Sequence, residues 1–330
     1  MAPLATRGLL GLGVGAGLVG AAAVALRYAI RPPTKERIPE TLTPARFTLR
    51  SFQSTRGQTI YHEGGASGRG PTLIFLHNVG VGASSYAWSK VYPAFAEGHR
   101  ILAPDLLGFG ESERPKVKLT AADYAEALVE FLEALCADEA QRPVIVARGL
   151  GAGFAALMAS RHPGVAERLL LWMPSGQANV PLWLNAASRV PILNSFVYRN
   201  KLARRATIRG RFAAPGAFVD PGAVTNEMVE THAICAQQYQ ADYAIFRLFQ
   251  GRMSFDLESC WRELRTPTTL LMPALPSGHS SGLMSRLQAA NPLCRLRVVP
   301  GAGPFAPLEA PQTVVDVLVD ELRAGTIPDK

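Results

Sequence analysis

VIVARGLGAG, residues 144–153, is a short apolar run that passes into alternating glycines and then into an alanine-rich segment, FAALMASRH. The pattern predicts a buried strand, a tight turn and a helix, with Gly149 at the corner. Working outward, PTLIFLHNV (71–79), RILAPDLLGFG (100–110), RLLLWMPS (168–175), TTLLMPA (268–274) and CRLRVVPGAG (294–303) are further short, nearly continuous apolar runs. Helical patterns separate them: SSYAWSKVYPAFAEG after residue 83, TAADYAEALVEFLEALC (120–136) behind the candidate N-cap Thr120, a stretch near 283–290, and a closing PQTVVDVLVDELRAG. FTLRSFQSTRGQTIYHE (47–63) reads as two strands turning near Arg56-Gly57.

Apolar strands alternating with helices predict an α/β fold whose mostly parallel sheet is covered by helices on both faces. Residues 175–266 break this rhythm. The interval is helical in pattern and too long for a crossover, so it is expected to form a helical cap inserted into a core of 47–174 and 267–330.

Four segments in this order resemble the α/β-hydrolase superfamily over roughly residues 47–325: FLHNVG, APDLLGFGESERP, RHPGVAERLLL and VVPGAGPFAPLEAPQTV. The resemblance implies a nucleophile on the elbow after strand five, an acid after strand seven or six, and a histidine after strand eight. Aligned on G-x-S-x-G, ARGLG puts Gly149 in the nucleophile's place. No Asp or Glu occurs between Glu263 and Glu309, and Pro276 stands closest to the acid's position. Pro304 occupies the position of the histidine.

Losing the nucleophile of a serine triad alone costs about 10⁶ in kcat, and an oxyanion hole by itself retains roughly 10³–10⁴ over water. Neither glycine nor proline can attack or shuttle a proton, so hydrolysis by the family's route is not expected. The expected reading is a degenerate member that serves as a binding or assembly module, such as an accessory subunit of a membrane complex. The alternatives are a small-molecule receptor or carrier using the capped pocket, and an enzyme with relocated residues.

The backbone part of the site remains. A helix starting near Leu150 presents free N–H groups, and the family's oxyanion donors would be the N–H of Leu150 and one near Asn78 or Val79. With Arg148 beside them, a small anionic ligand is one expectation and an apolar one another. His77, Asp105 and His279 are the candidates for a rebuilt site, although the first two positions are usually structural in the family. Gly151, Gly153 and Ala156 also satisfy G-x-G-x-x-A. Several strand–helix units precede this motif and no acid ends the next strand, which argues against dinucleotide binding.

The net charge of +8 is concentrated in two segments. Residues 1–35 carry Arg7, Arg27, Arg31 and Lys35 and no acid. Residues 199–211 carry Arg199, Lys201, Arg204, Arg205, Arg209 and Arg211 and no acid. A nucleic-acid binder would spread its basicity more widely, and none is expected as a partner. The basic run suits anionic headgroups, an acidic partner subunit, or plain solvation.

GLLGLGVGAGLVGAAAVAL (8–26) is uncharged for 19 residues, about 28 Å as a helix against the ~30 Å core of a bilayer. It is expected to be a transmembrane anchor, with a cleaved signal or an organelle-targeting segment as alternatives. Gly11 and Gly15 give G-x-x-x-G spacing for a partner helix. The excess of basic residues after the span places the following domain on the cytoplasmic (or matrix or stromal) side. Residues 31–46, rich in proline, read as a linker. Cys136, Cys235, Cys260 and Cys294 are scattered, without the spacing of a disulfide framework or a zinc site, and no metal or cofactor is implied.

Overall fold

The computed structural model describes residues 24–25, 27–34, 36–39, 43–66, 70–137, 141–274 and 280–324. Eight strands form one sheet: β1 (Phe47–Ser54), β2 (Gly57–Gly65), β3 (Leu73–Leu76), β4 (Arg100–Pro104), β5 (Val144–Arg148), β6 (Arg168–Trp172), β7 (Thr268–Pro273) and β8 (Cys294–Val299). Their order is β1-β2-β4-β3-β5-β6-β7-β8. The β1–β2 and β2–β4 pairs are antiparallel, and the remaining neighbours are parallel. The mostly parallel α/β sheet read from the strand pattern is therefore present.

The strand sequences explain the layering. LIFL and VIVAR are buried at every position, because successive side chains point to opposite faces and both faces are covered. Ile74, Leu76, Ile145 and Ala147 enter one core with Leu128 and Phe154. Leu73, Phe75, Val144 and Val146 enter the other with Trp88, Tyr92, Val314 and Leu318. The first face is packed by α1 (Ala121–Cys136) and α2 (Gly149–Arg161), the second by a late helix, α11 (Pro311–Arg323). Thr120 caps α1 in a capping box: its hydroxyl accepts from the Asp123 N–H, and the Asp123 carboxylate accepts from the Thr120 N–H.

Between β6 and β7 run α3 (Leu182–Ser188), α4 (Leu193–Val197), a π-helical turn (Tyr198–Leu202), α5 (Arg205–Phe212), α6 (Asn226–Gln237), α7 (Ala241–Phe249) and α8 (Leu257–Glu263). The last of these packs against α2 with the core. Two more helices, α9 (Ser280–Ala290) and α10 (Ala306–Glu309), precede α11. One local expectation fails. The helix anticipated after residue 83 is instead two 3₁₀ turns, Ser85–Trp88 and Tyr92–Phe95, the second with Pro93 in its first turn. A proline is tolerated only at a helix start, so it breaks the longer periodic run in two.

The apolar run 8–26 is not supported as a transmembrane helix: among the described residues no helix is long and apolar enough to cross a membrane. Nearly all of that run, including Gly11 and Gly15, lies outside the described residues, as does Pro276. The chain at 29–38 is held to the domain at three points, two on the helices between β6 and β7 and one on the loop after β4. The Thr34 N–H donates to the Gln237 carbonyl (2.8 Å), the Asn200 amide donates to the Ala29 carbonyl (2.9 Å), and the Ile38 N–H donates to Glu111 (3.3 Å).

Candidate functional site

In an open parallel sheet, sites form where loops leave the carboxyl ends of the strands. Here β3, β5 and β8 deliver Asn78, Arg148–Gly149 and Pro304 to one end of the sheet, where they border a cleft of about 1220 Å³. The elbow is sharp. Arg148 is still extended and Gly149 already begins α2 with φ +58°, a conformation costly to any residue with a Cβ.

What fills the elbow is the side chain of Asn78. Its Oδ1 accepts from the Val79 N–H (2.9 Å) and from the Leu150 N–H (2.9 Å). A Cβ built on Gly149 would lie 2.3 Å from that oxygen. The two N–H donors expected to be open to an anionic ligand are thus occupied from within, a correction to that expectation, while Asn78, Val79 and Leu150 all border the cleft. The fit is reciprocal: the Asn78 side chain reaches into the space that Gly149 leaves open by having none. Sequence reasoning reads Gly149 as a missing nucleophile and Asn78 as a neighbour of an oxyanion donor, and misses that one fits against the other.

Arg148 is 6% exposed. Its Nη2 donates to the Pro304 carbonyl (2.8 Å), and the guanidinium carbon lies 4.7 Å from the centre of the Phe305 ring. Burial pulls its pKa down to about 10, so it remains charged at neutral pH. Among the described residues no carboxylate comes within ion-pair distance of it. The loop that carries Pro304 is held in turn by aromatic packing. Phe305 meets Phe212 edge-on at 5.1 Å and stacks on Phe218 at 5.5 Å. The Phe212 ring also meets His232 at 4.8 Å.

Neither described candidate for a rebuilt site is free to act. His77 is fully buried. Its Nε2 accepts from the Leu106 N–H (2.9 Å), which leaves Nδ1 to donate to the Asn78 carbonyl (2.6 Å). Burial, more than the opposing pull of Asp105, lowers its pKa. Asp105 accepts from the N–H groups of Ser85 (2.6 Å) and Glu111 (2.8 Å). His279 lies outside the described residues.

The basic run 199–211 is less open than its composition suggests. Arg199 faces Asp242 (3.8 Å), Arg205 pairs with Glu230 and also faces Glu36 (3.9 Å), and Arg211 donates to the Val81 carbonyl (2.8 Å). Arg209 is bonded to the Asn226 amide. Lys201 and Arg204 are exposed, and no carboxylate among the described residues pairs with either. The four cysteines are buried and free, and no metal-binding group of side chains occurs among the described residues.

Comparison with known proteins places the fold. A stretch of the chain is 38% identical over 112 residues to a 2-hydroxymuconate semialdehyde hydrolase of Pseudomonas sp., covering 33% of the chain and 38% of that protein. Another match, 35% identical over 125 residues, is to a haloalkane dehalogenase of Mesorhizobium japonicum (38% and 37%). An uncharacterized protein of Mycobacterium bovis is 34% identical over 110 residues (33% and 31%). The chain thus spans about a third of the length of each of these relatives. Among solved structures, an epoxide hydrolase without ligand shares the fold with a TM-score of 0.71 at 17% identity, covering 84% of this chain and 99% of that one. A bacterial membrane phospholipase A does so with a TM-score of 0.68 at 21% identity, covering 96% and 99%. The family model described as the alpha/beta hydrolase family matches residues 73–317. The chain belongs to the alpha/beta hydrolase family.

Proposed function

We propose that this chain is a non-hydrolysing member of its family, a membrane-tethered domain whose capped cleft binds a small anionic molecule without turning it over. One observation carries the reading: the Asn78 side-chain oxygen accepts from both Val79 and Leu150 over a glycine elbow. The family's chemistry needs a nucleophile there and donors left open for the oxyanion. Gly149 supplies no nucleophile, Pro304 no proton relay, and the donors are spent on Asn78. The relatives named as hydrolase or dehalogenase carry those names for their own chains.

The cleft has room, and Arg148 lends it a buried cation that no carboxylate among the described residues neutralises. Ligand carboxylates suit such a centre, since burying an uncompensated charge is costly and pairing it recovers part of that cost. The test is thermal unfolding of the purified chain against a panel of aliphatic and aromatic carboxylates. A specific carboxylate should raise the unfolding temperature in wild type and fail to do so in Arg148→Met. Stabilisation by neutral analogues equally well in both proteins would refute the anion reading.

The second reading is an accessory subunit of a membrane complex. It draws on the linker, which Thr34, Ala29 and Ile38 fasten to the domain immediately after the apolar run 8–26. Solubilisation of the native membrane in mild detergent tests it. Migration in a large particle of defined composition supports it, and migration as a lone chain removes it.

A further inference from the structure

Two acid-free stretches far apart in sequence meet on one face. Residues 168–219 contain no Asp or Glu and carry eight Arg or Lys. Residues 1–35 likewise contain no acid. The structure joins them where the Asn200 amide holds the Ala29 carbonyl, and where the Thr34 N–H donates to the carbonyl of Gln237, whose side-chain amide donates to the Ala203 carbonyl. Several of the basic side chains are spent internally, as described above. Arg189, Lys201 and Arg204 on the helical segment, and Arg27 and Arg31 on the linker, have no carboxylate partner among the described residues.

The same ribbon of chain exposes large apolar groups. Leu182 is 89% exposed and Trp183 61%, side by side at the start of α3, with Val190 two turns further along the chain and Tyr28 open on the linker. Isolated exposed leucines are ordinary, but an adjacent Leu-Trp pair on a stretch whose Arg189, Lys201 and Arg204 have no carboxylate partner among the described residues has the composition of an interfacial anchor. Tryptophan favours the headgroup level, where its apolar body and polar N–H are both satisfied.

We infer that the ribbon Leu182–Arg204, together with the linker at 27–34, lies on an anionic phospholipid surface. Leu182 and Trp183 enter the interface, and Lys201 and Arg204 face the headgroups. Charge complementarity selects lipid over an apolar protein partner. So does the 19-residue apolar run 8–26, which in sequence closely precedes Ala29, whose carbonyl the Asn200 amide holds. Residues 177–180, which lead into α3, border the large cleft, so this orientation sets the cleft's edge against the bilayer. The inference rests on the membrane tether proposed above.

Trp183 is its own reporter. Trp88, Trp172 and Trp261 are fully buried, so quenching by aqueous acrylamide reads Trp183. The experiment reconstitutes the full chain in phosphatidylcholine–phosphatidylserine vesicles, with Trp183→Phe as the background. Docking predicts a blue-shifted Trp183 emission, loss of acrylamide quenching relative to the detergent-solubilised chain, and new quenching by lipids carrying a nitroxide near the headgroup. Lys201→Glu/Arg204→Glu should return Trp183 to acrylamide while the chain still floats with the vesicles. A chain that floats with Trp183 as accessible as in detergent overturns the docking face and leaves the tether standing. A chain that does not float overturns both.

Discussion

Replacing Gly149 by alanine should cost far more than its one methyl group suggests, and at least half of that cost should vanish if Asn78 is truncated first. At φ +58° an L-residue is strained by about 1–2 kcal/mol. The added Cβ would sit 2.3 Å from Asn78 Oδ1, so the amide must leave. Its departure loses the bonds from Val79 and Leu150, each worth about 1 kcal/mol net where water in the cleft can replace it. The single substitution Gly149→Ala is therefore expected to destabilise by about 3–4 kcal/mol, and Asn78→Ala by about 2. In the double variant the two hydrogen bonds are lost only once, so its cost should fall about 2 kcal/mol short of the sum. Denaturant unfolding of the four proteins, purified in one mild detergent, closes the cycle. Additive effects within about 0.5 kcal/mol, or a Gly149→Ala cost below about 1 kcal/mol, would refute the interlock.

Other consequences can be measured on the same protein. Removing the guanidinium in Arg148→Met frees the Pro304 carbonyl and the face of Phe305, with an expected loss of about 1–3 kcal/mol and faster amide exchange across residues 300–306. Burial holds the His232 pKa down to about 3, against an ordinary 6.5. The unfolded chain therefore takes up a proton that the folded chain refuses. Stability should be complete above about pH 6.5 and fall towards pH 3, with a limiting slope near 1.4 kcal/mol per pH unit. His62 and His77, lowered mainly by burial, act in the same direction. His232→Gln should flatten this acid limb in a series of unfolding curves. Gly82→Ala should be severe, because φ is +78° and its Cβ would meet the His232 carbonyl oxygen at 2.2 Å, whereas Gly164→Ala (φ +84°, open space) should show only the backbone strain of about 1–2 kcal/mol. Thermal denaturation of the pair separates contact from conformation.

Much of the fold could be read in the sequence, because buried parallel strands announce themselves. LIFL, VIVAR and RLLLW are apolar at nearly every position, and a capping box marks the start of α1. The long helix expected after residue 83 was misjudged, because apolar periodicity there outweighed Pro93. At the site, the proposed absence of the family's chemistry rests on the identities of Gly149 and Pro304, which are plain in the sequence, since residue type alone decides whether a group can attack or carry a proton. What fills the vacancy was not legible. Asn78 occupies the elbow through a side-chain rotamer, and Arg148 reaches the Pro304 carbonyl across a long sequence separation. No local pattern records either contact. The basic run 199–211 misled in the same way, since composition counts charges and cannot show that Arg199 and Arg205 face acids brought to them by α7 and α6.

The central claim is that the elbow holds no hydrolytic chemistry, and pre-steady-state hydrolysis of p-nitrophenyl acetate by the full-length chain tests it most directly. The account predicts no burst and a rate indistinguishable from an equal concentration of unfolded chain, with no acyl group on any residue of the cleft by mass spectrometry. A burst stoichiometric with protein, leaving an acyl group on a cleft residue, would contradict it.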